Sequence, residues 1–129
     1  MKCVIDTHAL IWHFDGDERL GREAGKILYN PRTEIICPTI VLAEIVYLSK
    51  KRRTQKGLDI ILTTMSSDPR FKIYPFDEEV LLRMPSTLEM HDAIIVATAF
   101  VFIETLNEEV PILTKDKDIR KIQGIVTIW

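Results

Sequence analysis

Residues 2–12 read KCVIDTHALIW. A strand-like run, Lys2 to Ile5, meets a carboxylate at Asp6, and a second apolar run, Ala9 to Trp12, follows closely. A charge between two apolar segments is costly unless it is paired, hydrogen-bonded or bound to a metal. Two roles fit. Asp6 caps a helix beginning at Thr7 or His8, or it belongs to a site.

Outward from that stretch, strands and helices alternate. Cys3–Ile5 is a short strand. After the Asp15-Gly16-Asp17 turn, a helix over Arg22–Tyr29 ends at Asn30-Pro31. Glu34–Cys37 is a strand. Thr39 is placed as an N-cap for a helix over Ile40–Arg53, with Val41, Ile45 and Leu48 apolar. A helix around Gln55–Met65 stops at Ser66-Ser67-Asp68-Pro69. Phe71–Pro75 is a strand by its alternation, and a short helix over Asp77–Met84 ends at Pro85. His91–Leu106 is a long apolar helix. Ile112–Thr114 and Ile125–Ile128 are the last strands, with a helical turn between them. Such alternation predicts an α/β domain with a mostly parallel sheet and right-handed crossovers. In such domains ligands bind at the carboxyl ends of strands, near the switch point.

The bulk composition agrees with one domain over residues 1–129. The chain has 129 residues, 47% of them hydrophobic, enough for a core without disulfides. Cys3 and Cys37 sit in apolar strands and read as buried free thiols in a reducing compartment, the cytoplasm. Met1-Lys2 leads straight into a strand, so no signal peptide is expected. The most apolar run, Ala93 to Ile103, is shorter than the about 20 residues that span a bilayer, so no membrane is expected. Lys plus Arg is 17 and Asp plus Glu is 19. That balance alone argues mildly against nucleic acid. The distribution matters more. Lys50-Lys51-Arg52-Arg53 with Lys56 is one basic cluster, and Lys115, Lys117, Arg120 and Lys121 form another. Solvated helix ends and phosphate contacts both account for them.

Four acids stand at element ends. Asp6 follows the first strand. Glu44 shares a helix face with Ile40 and Leu48, where a carboxylate needs a partner. Asp92, in MHDAIIVATA, shares a face with Ile95, Val96 and Ala99 and could equally be a cap. Asp116 follows the strand ending at Thr114, and Asp118 could cap the next helix. In a parallel sheet all four could converge on one edge. Clustered carboxylates repel unless a cation or protons join them. Mg²⁺ and Mn²⁺ suit oxygen ligands and can activate water for displacement at phosphorus.

The ordered pieces VIDTHALIW, PTIVLAEI, HDAIIVATA and ILTKDKDI resemble the PIN-domain nucleases, in particular the VapC-type toxins of toxin–antitoxin pairs, over essentially the whole chain. The resemblance implies a three-layer α/β/α sandwich with a parallel five-stranded sheet in the order 3-2-1-4-5. It implies Mg²⁺- or Mn²⁺-dependent RNA cleavage with water as nucleophile. Asp6, Glu44, Asp92 and Asp116 match the family's acids, with Asp6, Asp92 and Asp116 as metal ligands. Thr114 matches the hydroxyl residue that orders a carboxylate or a metal-bound water, and Thr7 a small polar position. Asp118 could supplement Asp116, which is preferred because it stands two residues after Thr114. A homodimer and a cognate antitoxin protein covering the acid site are the implied partners.

His8 and His91 neighbour site acids, so substrate contact, proton transfer and a plain structural hydrogen bond are all open to them. His13 reads as structural. Lys50, Arg52 and Lys115 are the candidate phosphate contacts, and binding through them would be salt-sensitive. Setting the four site acids aside from the 19 leaves fewer acids than the 17 basic residues, which weakens the objection from net charge. Two other readings compete. A receiver-like phosphoryl-acceptor domain accounts for Thr114-Lys115 but leaves Glu44 and Asp92 without a role. A non-catalytic binding module fits poorly with an intact set of four acids.

Overall fold

The computed structural model describes residues 1–51 and 56–129. Five strands run β1 (Lys2–Ile5), β2 (Glu34–Pro38), β3 (Phe71–Tyr74), β4 (Ile112–Leu113) and β5 (Thr127–Ile128). The helices are α1 (Thr7–Asp15), α2 (Arg22–Tyr29), α3 (Thr39–Lys50), α4 (Leu58–Ser66), α5 (Glu78–Leu81), α6 (Met90–Leu106) and α7 (Lys117–Arg120). The sheet order is β3-β2-β1-β4-β5, and every neighbouring pair is parallel. Helices cover both faces, giving the three-layer α/β/α sandwich. This order differs from the 2-1-3-4-5 order of receiver-type doubly wound domains, which removes that reading.

β1 is central because it is apolar on both faces. Cys3, Val4 and Ile5 are fully buried, as strands between two helical layers must be. The chain winds outward from β1 through β2 to β3, then returns to place β4 on the other side. The switch point therefore lies between β1 and β4. Their register pairs Ile5 with Leu113, so Asp6 and Thr114 emerge side by side at the carboxyl edge.

α6 is apolar all round, and its residues from Ala93 to Ala99 are buried. It packs on β1 and β2 and also carries α5. α1 ends at Gly16, whose φ of 65° is left-handed and whose N–H donates to the His13 carbonyl.

Several sequence expectations shift. Thr39 is the first residue of α3 rather than its cap. Pro38 holds the cap position, and the Thr39 hydroxyl donates instead to the Tyr74 carbonyl (2.9 Å), tying α3 to β3. Asp116, not Asp118, caps α7. Ile73, on the same side of the alternation as the buried Phe71, is exposed, because β3 is an edge strand covered on fewer sides. The proposed ends of the two helices at Arg53 and Gln55 lie outside the described residues. Cys3 and Cys37 are buried and free, and burial pushes both thiols up to about 12. No helix among the described residues is long and apolar enough to cross a membrane.

Candidate active site

β1 delivers Asp6 to the sheet edge and α1 fixes it there. The Asp6 N–H donates to the Leu113 carbonyl on β4 (3.3 Å), and its Oδ1 accepts from the Ala9 N–H (2.8 Å), capping α1. Asp6 is therefore a cap, one of the two roles read from the sequence, and it also lines a cleft. The Thr114 hydroxyl, fully buried, stands beside Asp6, whose carboxyl it helps to hold down, and accepts the Asp116 N–H (3.1 Å). One hydroxyl thus couples the two acids across the switch point. Burial pushes the Asp6 carboxyl above its ordinary range. Thr114, the Ala9 N–H and His8 oppose that rise, and the Asp116 charge adds to it.

Glu44 comes from α3. Its Oε2 accepts the buried Thr7 hydroxyl (2.6 Å). His91 Nε2 stands 2.6 Å from the same oxygen, at ion-pair distance but off the line that a directed hydrogen bond needs. His91 Nδ1 lies 3.8 Å from Asp92 Oδ1. Asp92 and Glu44 together raise the His91 imidazole to about 10, so it is cationic at neutral pH. His91 in turn is the main cause holding the Glu44 carboxyl below its ordinary range. Asp92 sits in the first turn of α6, where the helix dipole favours an anion; it is not the cap, a position taken by Glu89. Asp116 Oδ1 accepts the Asp118 and Ile119 N–H groups (2.8 and 2.9 Å).

These side chains share one cleft of about 590 Å³, lined by Asp6, Thr7, His8, Glu44, Glu89, His91, Asp92, Ile95, Lys115, Asp116 and Lys117. All four expected acids line it, with Thr7, both candidate histidines and Lys115. Thr114 lies buried beneath it. Asp118 is exposed and outside the lining. Lys50 is exposed beside a separate groove with Val46, Ser49 and Gly57. Arg52 lies outside the described residues. His13 packs among Phe14, Tyr29 and Phe71, as a structural residue does. Two charged lining residues were missed, besides the apolar Ile95. Glu89 stands three residues before Asp92, one helical turn away, and that spacing was the available signal. Lys117 was read only as part of a basic cluster, although it and Lys115 flank Asp116.

The donors are hard carboxylate oxygens, the chemistry that Mg²⁺ and Mn²⁺ prefer. Among the described residues, no three acidic, histidine or cysteine side chains stand close enough together to grip a bare ion. Mg²⁺ does not need such a cage, because it keeps several waters and takes one or two carboxylates. The arrangement fits that mode. Asp6 is buried and further charged against by Asp116, an electrostatic load that a cation between them would relieve.

Comparison with known proteins follows the geometry. A family model described as "PIN domain" matches residues 3–125. Similar solved structures include a toxin–antitoxin complex from Klebsiella pneumoniae, at 25% identity and a TM-score of 0.66, covering 97% of this chain and 96% of that one. A second is VapBC2 from Rickettsia felis bound to a promoter DNA fragment (16% identity, TM-score 0.68, coverage 100% and 99%). A third is DNA-bound VapBC from Salmonella typhimurium (14% identity, TM-score 0.61, coverage 99% and 97%). The last two carry only the fold. No curated protein matches the sequence. With the family model spanning nearly the whole chain and the strand order it implied found in the sheet, this chain belongs to the PIN-domain family.

Proposed function

We propose that this protein is a Mg²⁺- or Mn²⁺-dependent endoribonuclease that cleaves single-stranded or looped RNA by water attack. The observation that carries this reading is the cleft itself. Asp6, Glu44, Asp92 and Asp116 come from four separate segments and line one cavity at the switch point. We further propose that it is the toxin of a toxin–antitoxin pair, a cytoplasmic homodimer held inactive by an antitoxin protein. Likeness to the Klebsiella toxin–antitoxin complex supports the pairing with an antitoxin.

In this reading Asp6, Asp92 and Asp116 would hold the metal, which would act as a Lewis acid at the phosphate and lower the pKa of water. Thr114 orients Asp6 and Asp116 together. Thr7 and His91 hold Glu44 in one position. Lys115 and Lys117 offset the charge of the incoming phosphate. His91 stands beside Glu44 and Asp92 in the cleft lining, within reach of a phosphate bound there. Water oxygen bonds to phosphorus, a P–O ester bond breaks, and the leaving oxygen takes up a proton.

The test is purified protein with structured RNAs, with Mg²⁺, with Mn²⁺ and with EDTA, beside Asp6→Asn. Metal-dependent cleavage that Asp6→Asn abolishes is expected. Equal cleavage by the variant would remove Asp6 from the site. Binding of RNA without cleavage under any metal would favour a non-catalytic module.

A further inference from the structure

A second cavity adjoins the acidic cleft. It measures about 450 Å³ and is lined by His8, Ile11, Trp12, Arg19, Glu44 and Leu48. His8 and Glu44 line both cavities, so they form the wall between them. The His8 ring is exposed and backed by Trp12, with ring centroids 5.3 Å apart. Trp12 is itself nearly buried and braced edge-on by Trp129 at 5.7 Å. Its indole carries two cations. Arg19 Cζ lies 4.8 Å and Lys115 Nζ 4.7 Å from the ring centroid. Lys115 lines the acidic cleft and Arg19 lines the second cavity. One fixed ring therefore spaces a positive charge in each chamber.

The second cavity combines apolar walls at Ile11 and Leu48, the exposed His8 ring and the Arg19 guanidinium, with the Glu44 carboxylate in the wall shared with the acidic cleft and held there by Thr7 and His91. Arg19 gives Nε and Nη2 to Asp17, which leaves part of its five-donor fork free of that pair. Such a chamber suits a flat ring joined to an anion, and it opens onto a cleft built for a phosphodiester. We propose that it is a subsite for the nucleotide next to the scissile phosphate. The base stacks on His8, against Ile11 and Leu48. Arg19 takes that nucleotide's phosphate while Lys115 takes the phosphate in the acidic cleft. This assignment rests on the RNA-cleaving reading and gives it a positional preference: an unstacked, single-stranded nucleotide must enter beside the cut, because a paired base cannot leave its stack at no cost.

The experiment uses fluorescein-labelled single-stranded RNA and anisotropy in Mg²⁺, with Asp6→Asn as the uncleaving background. Adding His8→Ala is expected to weaken binding about tenfold, and His8→Phe, which keeps a stacking face, to stay within about twofold. Adding Arg19→Gln is expected to lower the salt slope of log affinity by about 1. In cleavage assays without the background change, Arg19→Gln should raise KM and leave kcat. If RNA is bound and cut but neither His8→Ala nor Arg19→Gln alters affinity, the subsite is overturned and the nuclease reading stands. If His8→Phe binds as weakly as His8→Ala, stacking is overturned. If the unsubstituted protein neither binds nor cuts RNA, both readings fall.

Discussion

His91 Nε2 lies 2.6 Å from Glu44 Oε2, and the same oxygen accepts the Thr7 hydroxyl at 2.6 Å. A residue of α6 and a residue of α1 thus clamp one carboxylate of α3. The clamp joins three helices that the sequence keeps far apart. It makes Glu44 a fixed negative charge with its counter-charge built in.

Breaking the clamp should slow catalysis without unfolding the chain. His91→Gln and Thr7→Val are each expected to lower turnover by about tenfold to a hundredfold, as loss of an orienting partner does in metal sites. Glu44 and His91 both remain partly exposed, so thermal stability should change little. Steady-state cleavage and a melting curve on the same samples check this. Unchanged turnover in both variants would show that Glu44 needs no orienting.

Asp6 caps α1, and substitution can separate that cap from its proposed role at the metal. Asn retains a side-chain oxygen able to cap α1 by accepting the Ala9 N–H, and Ala does not. Asp6→Ala should therefore cost about 1 kcal/mol from the lost cap, while Asp6→Asn keeps most of it. Both should lose metal-dependent cleavage. Denaturant titration of the two variants measures the cap alone. Equal stability would mean that the Ala9 bond contributes nothing.

His13 should make the protein acid-sensitive. Its Nδ1 is buried without a hydrogen-bond partner among the described residues, and burial, followed by the Arg70 charge, lowers its pKa below 6.5. A depressed folded pKa means that the unfolded chain binds the proton more readily. The stability tied to neutral His13 is then fully present above pH 6.5 and is lost as pH falls through the folded value. His13→Phe keeps a ring among Phe14, Tyr29 and Phe71 and removes the titration. Unfolding free energies at pH 7.5 and 5.0 should fall more steeply in the parent than in this variant. Parallel losses would assign the acid sensitivity to carboxylates alone.

Gly21 is required for space, not for backbone freedom, since its φ is −60°. A Cβ there would sit 2.3 Å from the Trp129 carbonyl carbon and 2.6 Å from its indole ring. Gly21→Ala must push the last strand's end away, and about 1–3 kcal/mol of destabilisation is expected. Trp129 braces Trp12, so the tryptophan emission should shift as well. A variant with unchanged melting temperature and emission would mean that the segment yields freely.

The helix around Arg22–Tyr29 was legible, because an amphipathic run ending at Asn30-Pro31 is local information. The parallel α/β class was legible for the same reason: apolar strands alternate with helical runs, and each can be read within a short window. The four acids were legible as a set in order along the chain. Cap identity was legible only in part: Asp6 caps α1 as read. Thr39 and Asp118 had cap chemistry but lacked cap position, which depends on where the backbone leaves the β region.

What the sequence alone determined is therefore the kind of elements, their order and the acids that end them, since these follow from residue type and local period. What only the tertiary structure decided is which side chains meet. It brought Glu89 and Lys117 into the cleft and left Asp118 and Lys50 outside it. It also set Trp12 against Trp129 from opposite ends of the chain and gave each of two cavities a cation from the same ring. Such meetings depend on strand register and helix packing between residues distant in sequence, and no local pattern records them.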